Sequence, residues 1–178
     1  MTTPDIDVDV RAATPKEATT PQQLMDNLLN FGAVPAPVIS LYLDARVNEV
    51  GKRSFIPFVR KQLSERLKSY PVNSEERASV EEDFVRIMRY LEEGVREPTQ
   101  GVALFACSAL DDYFQVGQFE AHFERNRLVV SERPHLYPLA RLIDQYRRYA
   151  VVLADTNRAQ IFVFAAGRAV AEDSIENV

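Results

Sequence analysis

The residues able to do chemistry are few. The 178-residue chain holds two histidines, His122 and His135, and a single cysteine, Cys107. A zinc site needs several such ligands at close spacing, and no cluster of that kind occurs. A nucleophile triad would need one of the two histidines, and no Gly-x-Ser-x-Gly elbow accompanies them. There is no GK[ST] phosphate loop and no G-x-G-x-x-G following a strand. Cys107, directly after Leu104-Phe105-Ala106, reads as a small buried apolar residue. His122, between Glu120 and Glu124, reads as exposed or ion-paired, and His135 follows Pro134 at the start of a helix. Glu75, Glu76, Glu81, Glu82 and Asp83 crowd the start of another helix. There they suit the dipole and point around the axis, so they read as a solvated helix end rather than a convergent carboxylate site. No catalytic set, metal site or cofactor is expected in this chain.

The cations are more suggestive. Lys52, Arg53, Arg60, Lys61, Arg66 and Lys68 occupy one predicted helix and its approach, and Arg141, Arg147, Arg148 and Arg158 lie near a junction further on. They could serve solubility through helical ion pairs, or they could contact phosphates of structured RNA. The residues taken as RNA contacts are Lys52, Arg53, Arg60, Lys61, Lys68, Arg147, Arg148 and Arg158. The net charge of −5 argues against a protein that coats nucleic acid by charge alone, and DNA is not an expected partner.

The elements that must position these residues are legible from periodicity. Thr20 caps a short helix with Pro21 at its first position, Gln23 completing a capping box, and Leu24, Leu28 and Phe31 on one face before Gly32. VISLYL, Val38 to Leu43, reads as a central strand, because few polar residues interrupt it. A helix from Ser54 to about Tyr70 carries the stripe Phe55, Ile56, Val59, Leu63 and Leu67 and ends at Pro71. The next helix is capped by Asn73 with Glu76, repeats Val80, Phe84, Ile87, Met88, Leu91 and Val95, and stops at Gly94. Then come two strands, Gly101 to Ser108 and Tyr113 to Glu120, joined near Asp111-Asp112, and a third over Arg127 to Ser131. A short helix with Leu139, Leu142 and Ile143 inward leads to a hairpin, YAVVLADTNRAQIFVFAAGR, and a possible last strand over Ala169 to Ile175.

This order predicts an α/β (α+β layered) fold: a mixed β-sheet flanked by helices, followed by a β-hairpin that begins a second, incomplete domain. Residues 1–19, rich in Thr, Pro, Ala and Asp, are expected to be a flexible tail, although Asp5 to Val10 alternates like an edge strand. Residues 20–146 form the main domain, and 147–178 the start of another. The lone cysteine, the absence of a signal-type leader and the lack of an apolar run of about 18–20 residues point to a cytoplasmic protein without membrane contact.

The ordered set of segments resembles the N-terminal part of the archaeo-eukaryotic class-1 release factors and Pelota, and looks most like the bacterial branch of that superfamily. The segments are VISLYLDAR after a short helix, two helices, GVALFACS, RPHLYPLARLID and YAVVLADTNRAQIFVF. The resemblance implies an N-terminal domain that enters the ribosomal decoding site and a middle domain with a ribonuclease-H-like sheet. In such factors the middle domain carries the Gly-Gly-Gln loop of peptidyl-tRNA hydrolysis. Gly117-Gln118 is not that loop, since it lies in the first domain and lacks the preceding glycine. The family's Asn-Ile-Lys-Ser loop corresponds to Tyr70-Pro71-Val72-Asn73-Ser74, and its Tyr-x-Cys-x-x-x-Phe motif falls at Leu128, Val130 and Pro134; neither matches. Stop-codon reading is therefore not expected.

The resemblance implies a ribosome-associated protein acting in translation termination, ribosome rescue or stress-time ribosome binding, with ribosomal RNA as the partner. The alternative is a non-catalytic protein-interaction or oligomerisation module, with the terminal hairpin as the contact between copies. Burying about eight apolar side chains of that hairpin would contribute on the order of 10 kcal/mol, and the ten residues AVAEDSIENV cannot cover both its faces. The expectation is a truncated product whose hairpin packs on the first domain, pairs with another subunit, or exposes an apolar face.

Overall fold

The structure is a computed structural model that describes residues 16–18, 20–111, 113–146, 149–155, 158–165 and 168–176. Its elements run β1 (Lys16–Ala18), α1 (Pro21–Leu29), β2 (Val38–Asp44), α2 (Phe55–Leu67), α3 (Glu75–Glu93), β3 (Gly101–Cys107), β4 (Tyr113–Phe119), β5 (Arg127–Ser131), α4 (Tyr137–Gln145), β6 (Tyr149–Ala154), β7 (Arg158–Ala165) and β8 (Arg168–Glu176). The first five strands form one mixed sheet in the order β1-β4-β3-β2-β5, and the last three form a separate antiparallel sheet, β6-β7-β8. The expected fold class is the one observed.

Period two sorts the side chains of the first sheet onto two cores. Ile39, Leu41 and Leu43 of β2, Val102, Leu104 and Ala106 of β3, and Phe114 and Val116 of β4 face α2 and α3. Tyr42, Ala103, Phe105 and Phe119 face the other way, onto α1 and α4. Both faces are thus covered by helices, and VISLYL reads as continuously apolar for that reason. It is an interior strand, pairing antiparallel with β3 and β5, while β3 takes the middle place.

Several boundaries differ from those expected. Residues 16–18 of the expected tail pair parallel with Gln115–Gly117 as an edge strand. Glu17 ties it down by accepting from the Tyr90 hydroxyl and the Arg96 guanidinium, contacts that local composition could not reveal. The alternating stretch Asp5 to Val10 lies outside the described residues. Thr20 caps α1 as expected, accepting from the Gln23 amide at 3.1 Å. The cap of α3 is Ser74, accepting from the Arg77 amide at 3.1 Å, and not Asn73. Asn73 instead takes a left-handed φ of 72°, a conformation asparagine tolerates better than most residues.

Gly117 and Gln118 are structural, in keeping with their exclusion as a catalytic loop. Gly117 is buried in β4 against Phe119 and Leu24. The Gln118 amide donates to Tyr90 Oη at 2.6 Å and to the Gly94 carbonyl at 2.8 Å, and its oxygen accepts from the Arg96 amide and the Thr99 hydroxyl, each at 2.9 Å. One side chain therefore fastens the α3–β3 connection.

In the second sheet, β8 adds the third strand expected around residues 169–175. Tyr149, Val151, Val152 and Leu153 of β6 are exposed, at 57%, 38%, 58% and 57%. Neighbours on a strand point to opposite faces, so both faces of β6 carry uncovered apolar surface.

Candidate functional site

The expected RNA-contact residues separate when placed on the fold. Lys52 precedes α2 in an exposed turn, and Arg60, Lys61 and Lys68 are exposed along or just beyond α2. Their partners are weak surface ones: Arg60 meets Glu92 at 3.4 Å and Lys61 meets Glu65 at 4.0 Å. Arg53 is different. It is half-buried, donates to the carbonyls of Ala45, Val95 and Arg96, and pairs with Glu97 at 2.7 Å. Its guanidinium brackets the end of β2 to the loop after α3, so it belongs to the framework rather than to a free cationic face. Arg158 is exposed at the start of β7. Arg147 and Arg148 lie outside the described residues.

Two clefts flank the β2–β5 pair at its opposite ends. The first lies where the α2–α3 junction meets the start of β2 and the end of β5. It has about 300 Å³ and is lined by Pro35, Ala36, Pro37, Tyr70, Glu76, Ser131 and Glu132. This is the place of the Asn-Ile-Lys-Ser counterpart. Its two charged walls are carboxylates, which repel phosphate. Leu128 and Val130, at the positions of the second decoding motif, pack against the core under α2 and α3. None of the second motif's positions, Leu128, Val130 and Pro134, lines this cleft.

The second cleft, about 160 Å³, lies against α4 at the other end. Tyr42 and Arg127, direct partners across β2 and β5, stand in its wall with His122, Glu124, Arg125, Tyr137 and Arg141. The Tyr42 hydroxyl donates to the His135 carbonyl at 2.5 Å, and the His135 amide donates to the Ser40 hydroxyl at 2.9 Å. Burial pushes the Tyr42 phenol well above its ordinary range. Arg127 donates toward Nε2 of His135 at 3.4 Å. Burial and the Arg127 charge together hold the His135 imidazole below its ordinary pKa. Burial also pushes the nearby Asp44 carboxyl up. The hydrogen bonds and charge of Arg46, with His122, outweigh that and hold it below the usual carboxylate value. No apolar periodicity marks this cleft, because its charges come from a loop, a strand start and a helix face.

Two other expectations are decided by burial. Cys107 is buried in β3, and burial, with the Asp83 charge, raises its thiol pKa. The four glutamates at the start of α3 are exposed as expected, but Asp83 is fully buried. It accepts from Arg86 at 3.2 Å and from the Ser108 amide at 3.0 Å, while Arg86 lies over the Phe114 ring at 4.9 Å. Among the described residues no group of three or more His, Cys, Asp or Glu could hold a metal ion. None of their helices is long and apolar enough to cross a membrane.

Comparison with known proteins agrees with the resemblance read from the ordered segments. A family model, bacterial archaeo-eukaryotic release factor family 10, matches residues 134–177, from the approach to α4 through the second sheet. Among solved structures, the archaeal translation termination factor aRF1 is similar with a TM-score of 0.55 at 14% identity, over 88% of this chain and 44% of that one. Another, described as an archaeal protein, has a TM-score of 0.53 at 15% identity, over 89% and 46%. The chain thus spans under half the length of each of these two structures. No curated protein matches it in sequence.

Proposed function

We infer that this chain, with the fold of a translation termination factor and a release-factor family match behind it, is the ribosome-binding part of a release-factor-like protein. It would work in the cytoplasm in translation termination, ribosome rescue or stress-time ribosome binding. The observation that carries this reading is the overlay of 88% of the chain on an archaeal termination factor. Lys52, Arg60, Lys61 and Lys68 then present an exposed cationic face to ribosomal RNA phosphates. Codon reading is not assigned, because the cleft at the α2–α3 junction is walled by Glu76 and Glu132. Hydrolysis is not assigned to this chain either.

Ribosome co-sedimentation tests the reading. The protein should co-sediment at low salt and release as salt rises, since phosphate contacts exchange with counterions. Reversing all four cations, K52E/R60E/K61E/K68E, should weaken binding by roughly a hundredfold or more at low salt. Absence of the unaltered protein from the ribosome fraction at low salt would sink the reading.

A second reading, a protein-interaction or oligomerisation module, is favoured by the uncovered apolar side chains of β6. It requires concentration-dependent association that ribonuclease leaves untouched.

A further inference from the structure

Across the sheet from α2, the α4 cleft holds positive charge that the fold does not consume. We propose that this cleft binds the phosphate of a nucleotide, with Arg125, Arg127 and Arg141 as anion contacts and the Tyr137 ring as a stacking face for the base.

The other sheltered arginines of this chain are each met by carbonyl or carboxylate acceptors. Arg53 is met by three carbonyls and Glu97, Arg77 by the carbonyls of Leu67 and Tyr70, and Arg86 by Asp83. A sheltered guanidinium needs such acceptors, because losing hydration without replacement is costly. Arg127 is half-buried too, yet its acceptor is the neutral ring of His135 at 3.4 Å, and no carboxylate meets it among the described residues. Its charge is left for something that enters the cleft.

The surroundings fit an anion. Three guanidiniums and one carboxylate, Glu124, stand in the wall. Arg125 is exposed and has no ion pair among the described residues. Arg141 is held to Glu124 at 2.5 Å, but both side chains are about half exposed, at 48% and 57%, and can turn to a stronger acceptor. The nearby Asp44 is already taken by Arg46 at 2.6 Å. At about 160 Å³ the cleft is far larger than the ~10–15 Å³ that one water needs, so a polyatomic anion can displace solvent from it. Arginine forks match phosphate oxygens. Tyr137, 62% exposed at the rim, adds an aromatic face of the kind that stacks on bases. Phosphate and aromatic face together favour a nucleotide over a simple oxyanion.

This site lies on the opposite sheet face from Lys52 to Lys68, and free-nucleotide binding does not depend on the ribosome reading. Its test is a titration followed by amide chemical shifts. The probes are uridine 5′-monophosphate, uridine, inorganic phosphate and a short oligouridylate, at roughly physiological salt. The monophosphate should saturate the cleft residues and bind about tenfold or more tighter than uridine or inorganic phosphate. Arg127→Gln should weaken it by roughly tenfold to a hundredfold. Tyr137→Ala should weaken the monophosphate and leave inorganic phosphate unchanged. An oligomer much tighter than the monophosphate identifies the natural source as an RNA segment, and equal affinities identify a free nucleotide; either keeps the proposal. If Arg127→Gln does not fold, Arg125→Ala, at an exposed position, serves in its place with its melting midpoint as control. No saturation by any phosphate probe, inorganic phosphate binding as tightly as the monophosphate, or affinities untouched by the arginine change would overturn it.

Discussion

Asp83 shows how one residue can be misread from its neighbours. In sequence it belongs with four glutamates in an acidic helix start; in the fold it is buried between Arg86 and the Ser108 amide. Asp83→Ala should cost about 3–5 kcal/mol in urea unfolding, because it leaves a buried guanidinium without that carboxylate. Joint replacement, D83L/R86M, should cost clearly less than the sum of the single changes; additive losses would show that the two are not coupled. His135 gives a pH signature. Its folded pKa lies below the ordinary value of 6.5, so the unfolded chain takes up the proton first. Stability is then full above about 6.5 and falls as pH drops through that value toward the folded pKa. His135→Gln should flatten the unfolding midpoint between about pH 7.5 and 5.5; an unchanged slope would remove His135 as its source.

At the scale of elements, the strand register rests on two glycines that differ in what confronts them. A Cβ on Gly101 would lie 2.3 Å from the Ala121 carbonyl oxygen, a backbone atom that cannot rotate away. A Cβ on Gly117 would lie 2.2 Å from the Phe119 ring and 2.8 Å from a Leu24 methyl, both side-chain atoms. Gly101→Ala should therefore destabilise by about 3 kcal/mol or more, and Gly117→Ala by about 1–3 kcal/mol. Thermal melts of the two variants check the ranking, and the reverse order would mean that the Ala121 backbone yields. The helices were easier to read than these strands. Thr20 and the Phe55-Val59-Leu63 stripe act within one or two turns, so their signals are local. The parallel pairing of Lys16–Ala18 joins residues about a hundred positions apart and leaves no local signal.

At the scale of the molecule, the question is the second sheet. Val152 and Leu153 are more than half exposed on opposite faces of β6. Val152→Lys and Leu153→Lys should leave the stability of the five-stranded domain within about 0.5 kcal/mol. They should reduce concentration-dependent association measured by light scattering. A loss of several kcal/mol would mean that these side chains are buried in solution.

The chain by itself determined its layered α/β architecture and the interior place of VISLYL, because periodicity and caps are imprinted within a few residues. It also determined the mismatched decoding motifs, and the order of its segments carried the resemblance to the release-factor superfamily. Tertiary structure alone decided which cations remain available. Arg53 is spent on carbonyls from Ala45 and Val95–Arg96, whereas among the described residues Arg127 meets only a neutral histidine. Arg53 leads into a helix and Arg127 opens a strand, and neither position in the sequence reveals what the guanidinium meets. Their difference comes from acceptors delivered by distant segments, and the free energy of a charge depends on what surrounds it in space rather than along the chain.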